Sequence, residues 1–264
     1  MEGKKKRRLV LVHGAQHGGW CWYKLSALLN SAGIQVTSLD MAASGIDPKQ
    51  VLDITSVSEY VEPLLQFLRS LPAEERVILV GHSFGGLCIS LAMEFFPHKI
   101  AAAVFVTAWM PGPHLSYLSL KQEFNHRLSL KSNFDSEAVS DENSNSHQKR
   151  YIPPDPQNLA SNVYHLSPPE DLTLALSLVR PFPIFSYEDL RENTQLTEEK
   201  HGTVGRVYIV CEEDKLIEQD FQLSMVERNP PDEVKVIAGA DHMPMLSKPQ
   251  ELFSYLQQIA DNYY

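Results

Sequence analysis

Val77-Ile78-Leu79-Val80-Gly81-His82-Ser83-Phe84-Gly85-Gly86 joins an apolar run of strand length to Gly-x-Ser-x-Gly and then to a helical pattern. This is the sequence form of a nucleophile elbow, in which a serine on a sharp strand-to-helix turn has its hydroxyl thrust clear of the sheet. Glycines two residues before and two after leave room for the strained backbone to pass its neighbours. The pentapeptide alone is moderately specific, and its flanks decide. Residues 87–96 are mostly apolar and stop at Pro97, as expected for a buried helix that starts at the elbow and ends before a proline. Ser83 is the candidate nucleophile.

Outward from this point, apolar runs of strand length recur at 9–12, 35–39, 77–80, 101–106, 207–210 and 234–237, with room for a helix between them. Amphipathic segments fill the gaps at 22–32, 57–70, 84–96, 219–227 and 249–261, for instance with Val61, Leu64, Leu65 and Leu68 at helical spacing. Strands alternating with helices predict an α/β protein with a doubly wound, mostly parallel sheet of about six strands. The alternation breaks after Val106. Residues 113–187 are expected to form a cap inserted into one domain spanning 1–264, whose core is 1–112 and 188–264. The polar stretch 132–158 lies inside this insertion, and 136–148 is expected to be its most mobile part.

The chain has 264 residues, 43% of them hydrophobic, enough for one sizeable core. A formal net charge of −10 argues against nucleic acid as a partner, since phosphate binding needs concentrated Lys and Arg. The one basic run, Lys4-Lys5-Lys6-Arg7-Arg8, reads as a solvated tail. No segment has the apolar length of a membrane span, and Met1-Glu2-Gly3 followed by five cations lacks the apolar core of a secretory signal. Cys21, Cys88 and Cys211 lie in or beside apolar runs and read as buried thiols in a reducing compartment. A cytoplasmic protein with no membrane partner is expected. No metal-ligand spacing is present, and no cofactor is implied. A homodimer is compatible with the sequence.

A serine hydroxyl needs an adjacent imidazole, which a carboxylate must hold in the right tautomer. Of ten histidines, only His242 follows a late strand through a short turn, so it is the candidate base. The strand 207–210 runs into Glu212, Glu213 and Asp214, three competing acids at the carboxyl end of a strand. Asp214 is favoured because Asp is shorter and stiffer and lies further into the loop. Asp241 ranks lower because it would have to fold back on its own neighbour. Two main-chain N–H groups should face the developing oxyanion: that of Phe84, after the nucleophile, and that of Ala15, in the turn after the first strand. Gly14 allows close approach there. Gly14, His82, Met243 and Trp109 are the candidate substrate-binding residues, the middle two because they adjoin catalytic positions.

Taken together, His13-Gly14-Ala15, Gly18-Gly19-Trp20-Cys21-Trp22-Tyr23-Lys24, Ala43-Ser44-Gly45-Ile46-Asp47, the elbow, Tyr164-His165-Leu166-Ser167-Pro168, Glu213-Asp214-Lys215 and Asp241-His242-Met243-Pro244-Met245 resemble the plant methylesterase and hydroxynitrile lyase family of α/β-hydrolases. The resemblance covers nearly the whole chain. It implies an α/β-hydrolase fold, a Ser83-His242-Asp214 triad, and a small methyl ester as substrate, such as a methylated plant hormone or an alkaloid intermediate. In that family hydroxynitrile lyases carry threonine after the first-loop histidine and lysine after the catalytic histidine; here those positions are Gly14 and Met243. The methyl ketone synthase branch lacks the elbow serine, which this chain keeps, although 45–50 and 229–234 look close to that branch. A carbon–carbon lyase or decarboxylase on the same scaffold is the alternative reaction. A slow-turnover small-molecule receptor is the alternative outside catalysis.

Overall fold

Strand runs with apolar residues at consecutive positions must be covered on both faces, and the chain supplies helices for both. A computed structural model describes residues 7–131 and 151–263. In order it forms β1 (Arg8–Val12), α1 (Tyr23–Ser31), β2 (Gln35–Leu39), α2 (Val57–Ser70), β3 (Val77–His82), α3 (Gly85–Phe95), β4 (Ile100–Val106) and α4 (Tyr117–Lys131). Then follow β5 (Tyr151–Ile152), α5 (Pro156–Asn158), α6 (Pro169–Leu178), β6 (Phe182–Pro183), α7 (Tyr187–Asn193), β7 (Arg206–Cys211), α8 (Gln219–Arg228), β8 (Glu233–Ile237), α9 (Pro244–Ser247) and α10 (Pro249–Tyr263).

Six strands make one parallel sheet in the order β2-β1-β3-β4-β7-β8. Because successive side chains point to opposite faces, each central strand divides between two apolar clusters. Val10, Val12, Leu79, Phe105 and Val210 meet Leu64, Leu68 and Ile89 on one side. Leu9, Leu11, Val80, Val104 and Ile209 meet Leu25, Leu29, Leu252 and Leu256 on the other. The helix α2 begins where the Ser56 hydroxyl accepts the Glu59 amide, a cap commonly worth about 1 kcal/mol. Its buried residues, Val57, Tyr60, Val61, Leu64, Leu65 and Leu68, trace one stripe.

All six expected strands form, extended by at most two residues at an end. Between β4 and β7 the chain holds more regular structure than its sequence rhythm indicates: α4, α6, and a two-residue antiparallel pairing of β5 with β6. The helix α4 escapes periodicity because Leu128 and Leu130 are exposed and interrupt its apolar stripe. The expected mobile part, 136–148, lies outside the described residues. Among the described residues no helix is long and apolar enough to cross a membrane. Cys21, Cys88 and Cys211 are buried and free.

Candidate active site

Among the described residues four non-glycine residues have left-handed backbones, and each follows the carboxyl end of a strand: Gln16 after β1 (φ 66°), Ala43 after β2 (φ 60°), Ser83 after β3 (φ 53°) and Thr107 after β4 (φ 38°). Such conformations cost energy and gather where function requires them. At the elbow the Ser83 carbonyl accepts the amides of Gly86 at 3.0 Å and Trp109 at 3.1 Å, which fixes the turn. A Cβ on Gly81 would lie 2.6 Å from the Gly85 carbonyl oxygen. One on Gly85 would lie 2.5 Å from the carbonyl oxygen of Val12 and 2.7 Å from that of His13. The glycines of the motif are therefore demanded by crossing backbones, and the left-handed residue is the serine itself.

His242, on the loop between β8 and α9, places Nδ1 2.7 Å from Asp214 Oδ2. A carboxylate oxygen can only accept, so Nδ1 carries the hydrogen and Nε2 presents its lone pair. Asp214 is 4% exposed and holds two further amides, Leu216 at 2.7 Å and Ile217 at 3.0 Å, on Oδ1. Its Oδ2 also accepts the Thr107 hydroxyl. Glu213 is exposed and contributes only its main-chain N–H, donated to the Ala240 carbonyl at 3.0 Å. That separates the competing acids. Asp241 is fully buried and turned away from the His242 ring, accepting from Leu166 N, Ser167 Oγ and Met243 N.

The Ser83 hydroxyl, 7% exposed, makes no hydrogen bond among the described residues. The acid–base half of the expected triad is thus assembled while the serine–histidine bond is not made. Such contacts commonly close only around bound substrate. The rings of His242 and His82, the residue before Ser83, have centroids 4.7 Å apart.

Buried main-chain amides are nearly always paired. Among the described residues the N–H groups of Ala15 and Phe84 donate to nothing. The first is aimed by its neighbour: His13 Nδ1 lies 2.7 Å from the Gly14 carbonyl oxygen, and in a planar trans peptide the Ala15 N–H must then point the opposite way. His13 Nε2 accepts the Met41 amide at 3.0 Å, so the ring is neutral, as its burial favours by lowering its pKa. The turn sits directly over Ser83, for a Cβ on Gly14 would lie 2.8 Å from Ser83 Cβ and 2.9 Å from His82 Nδ1.

The expected pocket residues divide. Gly14 lies over the elbow. Trp109 is 7% exposed and packs edge-on to Tyr117, Phe124 and Phe221. Met243 has no exposed surface and belongs to the core cluster behind the sheet. His82, expected to contact substrate, is 1% exposed, edge-on to Trp22, and directs Nε2 to the His242 carbonyl oxygen at 2.6 Å, so it packs against and bonds the His242 loop. Sequence reasoning missed Thr107 and His17. A hydroxyl residue immediately after a strand was the available signal for the first. His17 carries its signal in contacts that only the fold creates, and burial pushes its pKa down to about 4.

Residues 9–254 match the alpha/beta hydrolase family. Methyl jasmonate esterase 1 of Vitis vinifera is 51% identical over 260 residues, 98% of this chain and 99% of that protein. Salicylic acid-binding protein 2 of Nicotiana tabacum is 44% identical over 269 residues, 98% of this chain and 99% of that protein. The crystal structure of tomato methylketone synthase I complexed with 2-tridecanone is 47% identical and superposes with a TM-score of 0.89, covering 98% of this chain and 99% of that one. A match across most of the sheet-forming sequence, with relatives this similar from end to end, means that the chain belongs to the plant methylesterase branch of the alpha/beta hydrolase family.

Proposed function

We propose that the protein is a serine carboxylesterase that hydrolyses small methyl esters, such as a methylated plant hormone or an alkaloid-type ester. The observation that carries the assignment is the 2.7 Å His242–Asp214 pair, together with the left-handed Ser83 of the elbow and the main-chain amides of Ala15 and Phe84, which have no partner among the described residues. Ser83 Oγ attacks the ester carbonyl as His242 Nε2 takes its proton, and Asp214 holds the ring through Nδ1. The N–H groups of Ala15 and Phe84 receive the oxyanion, each commonly worth about 2.7–4 kcal/mol. His242 returns the proton to the departing methanol. Water, activated by the same ring, then releases the acid, and no cofactor enters any step. The insertion 113–187, of which 113–131 and 151–187 are described, is assigned as the cap, and a cytoplasmic address accords with three buried free thiols.

Similarity to tomato methylketone synthase I favours one second reading, loss of carbon dioxide from a β-keto acid. Ser83 weighs against it as the primary step, and so does the match to an esterase named for methyl jasmonate. The test is a panel of methyl esters, with methanol and carbon dioxide both measured, against the parent and Ser83→Ala. The parent should release methanol and the folded variant should lose at least about four orders of magnitude in kcat. Carbon dioxide from β-keto acids at equal rates in both would establish the second reading. A single equivalent of methanol without turnover would make the protein a receptor.

A further inference from the structure

The turn at Tyr164–Ser167 lies in the segment between β4 and β7, yet it bonds to both loops that carry the proposed machinery. Its own closure is a Ser167 amide on the Tyr164 carbonyl at 3.0 Å. At one end the Tyr164 hydroxyl lies 2.7 Å from His17 Nε2, and His17 Nδ1 lies 2.8 Å from the Ala15 carbonyl oxygen. The direction of this chain is fixed by chemistry. The Ala15 oxygen can only accept, so Nδ1 bears the hydrogen; a neutral ring then has a lone pair at Nε2, and Tyr164 must donate. At the other end the Leu166 amide and the Ser167 hydroxyl converge on Asp241 Oδ2 at 3.0 and 2.8 Å, while Asp241 Oδ1 receives the Met243 amide at 2.9 Å. His242 sits between Asp241 and Met243, inside that clamp.

We infer that the Tyr164–Ser167 turn is a positioning element that fixes the oxyanion loop through His17 and the histidine loop through Asp241, so that seating this part of the insertion completes the catalytic arrangement. The inference rests on the esterase reading for its kinetic consequence but not for its geometry. Tyr164 and Asp241 are 2% and 0% exposed, so neither bond is diluted by solvent. A second tie secures the same loop: the Arg180 amide donates to the Gln16 carbonyl at 2.9 Å, and Gln16 Nε2 donates to the Pro153 carbonyl at 2.9 Å. The oxyanion loop is thus held from outside the core at successive residues, and the unpaired Ala15 N–H lies within the held part.

Tyr164→Phe and Ser167→Ala each delete one hydroxyl. Each should lower kcat by about 10- to 100-fold with KM changed by less than about twofold, because a small displacement affects the transition state more than substrate binding. A trifluoromethyl ketone, whose adduct with the nucleophile mimics the oxyanion, should lose affinity in parallel, whereas affinity for the product acid should hold. Deuterium uptake should rise over residues 13–19 in Tyr164→Phe and over residues 240–246 in Ser167→Ala. Unchanged kcat with unchanged uptake in folded variants would overturn the inference, as would equal losses of ketone and product-acid affinity. If the parent cleaves no methyl ester, the esterase reading fails by itself, and the uptake measurements still decide whether the turn holds both loops.

Discussion

His82 Nε2 lies 2.6 Å from the main-chain carbonyl oxygen of His242 and donates to it, with the two rings 4.7 Å apart. His242 is therefore held twice, by Asp214 at its ring and by His82 at its backbone. Burial, with His242 close by, keeps the His82 pKa well below the ordinary value, which preserves a neutral ring with a single hydrogen to place on that carbonyl. Replacing His82 by Leu strands the His242 carbonyl in the core at a cost of about 1–3 kcal/mol. The expected result is a lower urea midpoint and a kcat reduced by about tenfold or more. His82→Gln, which restores an N–H donor, should recover part of both. Full activity in folded His82→Leu would remove His82 from any role in holding His242.

Thr107 gives its hydroxyl to the Asp214 oxygen that also receives His242 Nδ1, and does so from a left-handed backbone rare for a β-branched residue. That strain, of about 1–3 kcal/mol, persists because the surrounding bonds over-determine it, among them the Thr107 amide on the Ile209 carbonyl at 2.9 Å. Thr107→Val keeps the shape and deletes the donor to a charged acceptor, a loss of about 1.5–3 kcal/mol. Thr107→Ser keeps the donor. Thermal unfolding and kcat should rank parent and Ser close together and Val well below. A Val variant matching the Ser variant in both would show that the Thr107 bond to Asp214 is dispensable.

Glycine requirements differ in kind along the chain, and two substitutions separate them. Gly85→Ala puts a Cβ 2.5 Å from a main-chain oxygen of β1, where nothing flexible can yield, and pushes the turn at 13–15 away from Ser83. Overpacking of this sort costs about 3 kcal/mol, and kcat should fall with stability. Gly33 has φ 74° but open space around its Cβ position. Gly33→Ala should cost about 1–2 kcal/mol in stability and leave kcat at the parent value. Equal kcat losses in the two variants, measured well below their unfolding temperatures, would contradict this division.

The sheet was legible because its strands are continuous apolar runs, a pattern that survives without knowledge of partners. The elbow was legible because two crossing backbones restrict positions 81 and 85 to glycine, leaving a mark in the sequence itself. Asp214 could be preferred to Glu213 from side-chain length, although only the fold shows one buried and the other exposed. Other residues left no such mark. His82 looked like a pocket residue because it adjoins Ser83, but the last residue of a strand and the elbow residue after it point in different directions. His17, Tyr164 and Asp241 matter through bonds spanning 74 to 147 residues, and no local pattern encodes those.

His201 is fully buried, and among the described residues neither ring nitrogen has a hydrogen-bond partner. Burial, with Arg206 nearby, depresses its pKa from 6.5 to about 4, against a smaller opposing pull from Glu94. The unfolded chain binds a proton at this residue below about pH 6.5, whereas the folded chain does not until about pH 4. Stability linked to His201 is therefore complete above pH 6.5, declines as pH falls through that window, and levels off below pH 4 after a loss of about 3 kcal/mol. His17, with its pKa also near 4, adds to the same decline, so one substitution removes a share of it. His201→Leu should unfold no earlier than the parent at pH 8, since two unpaired ring nitrogens leave the core. Its advantage should then widen steadily from pH 6.5 to pH 4 in thermal scans. Parallel curves for parent and variant across that range would mean that His201 gains a proton partner on folding, contrary to its surroundings.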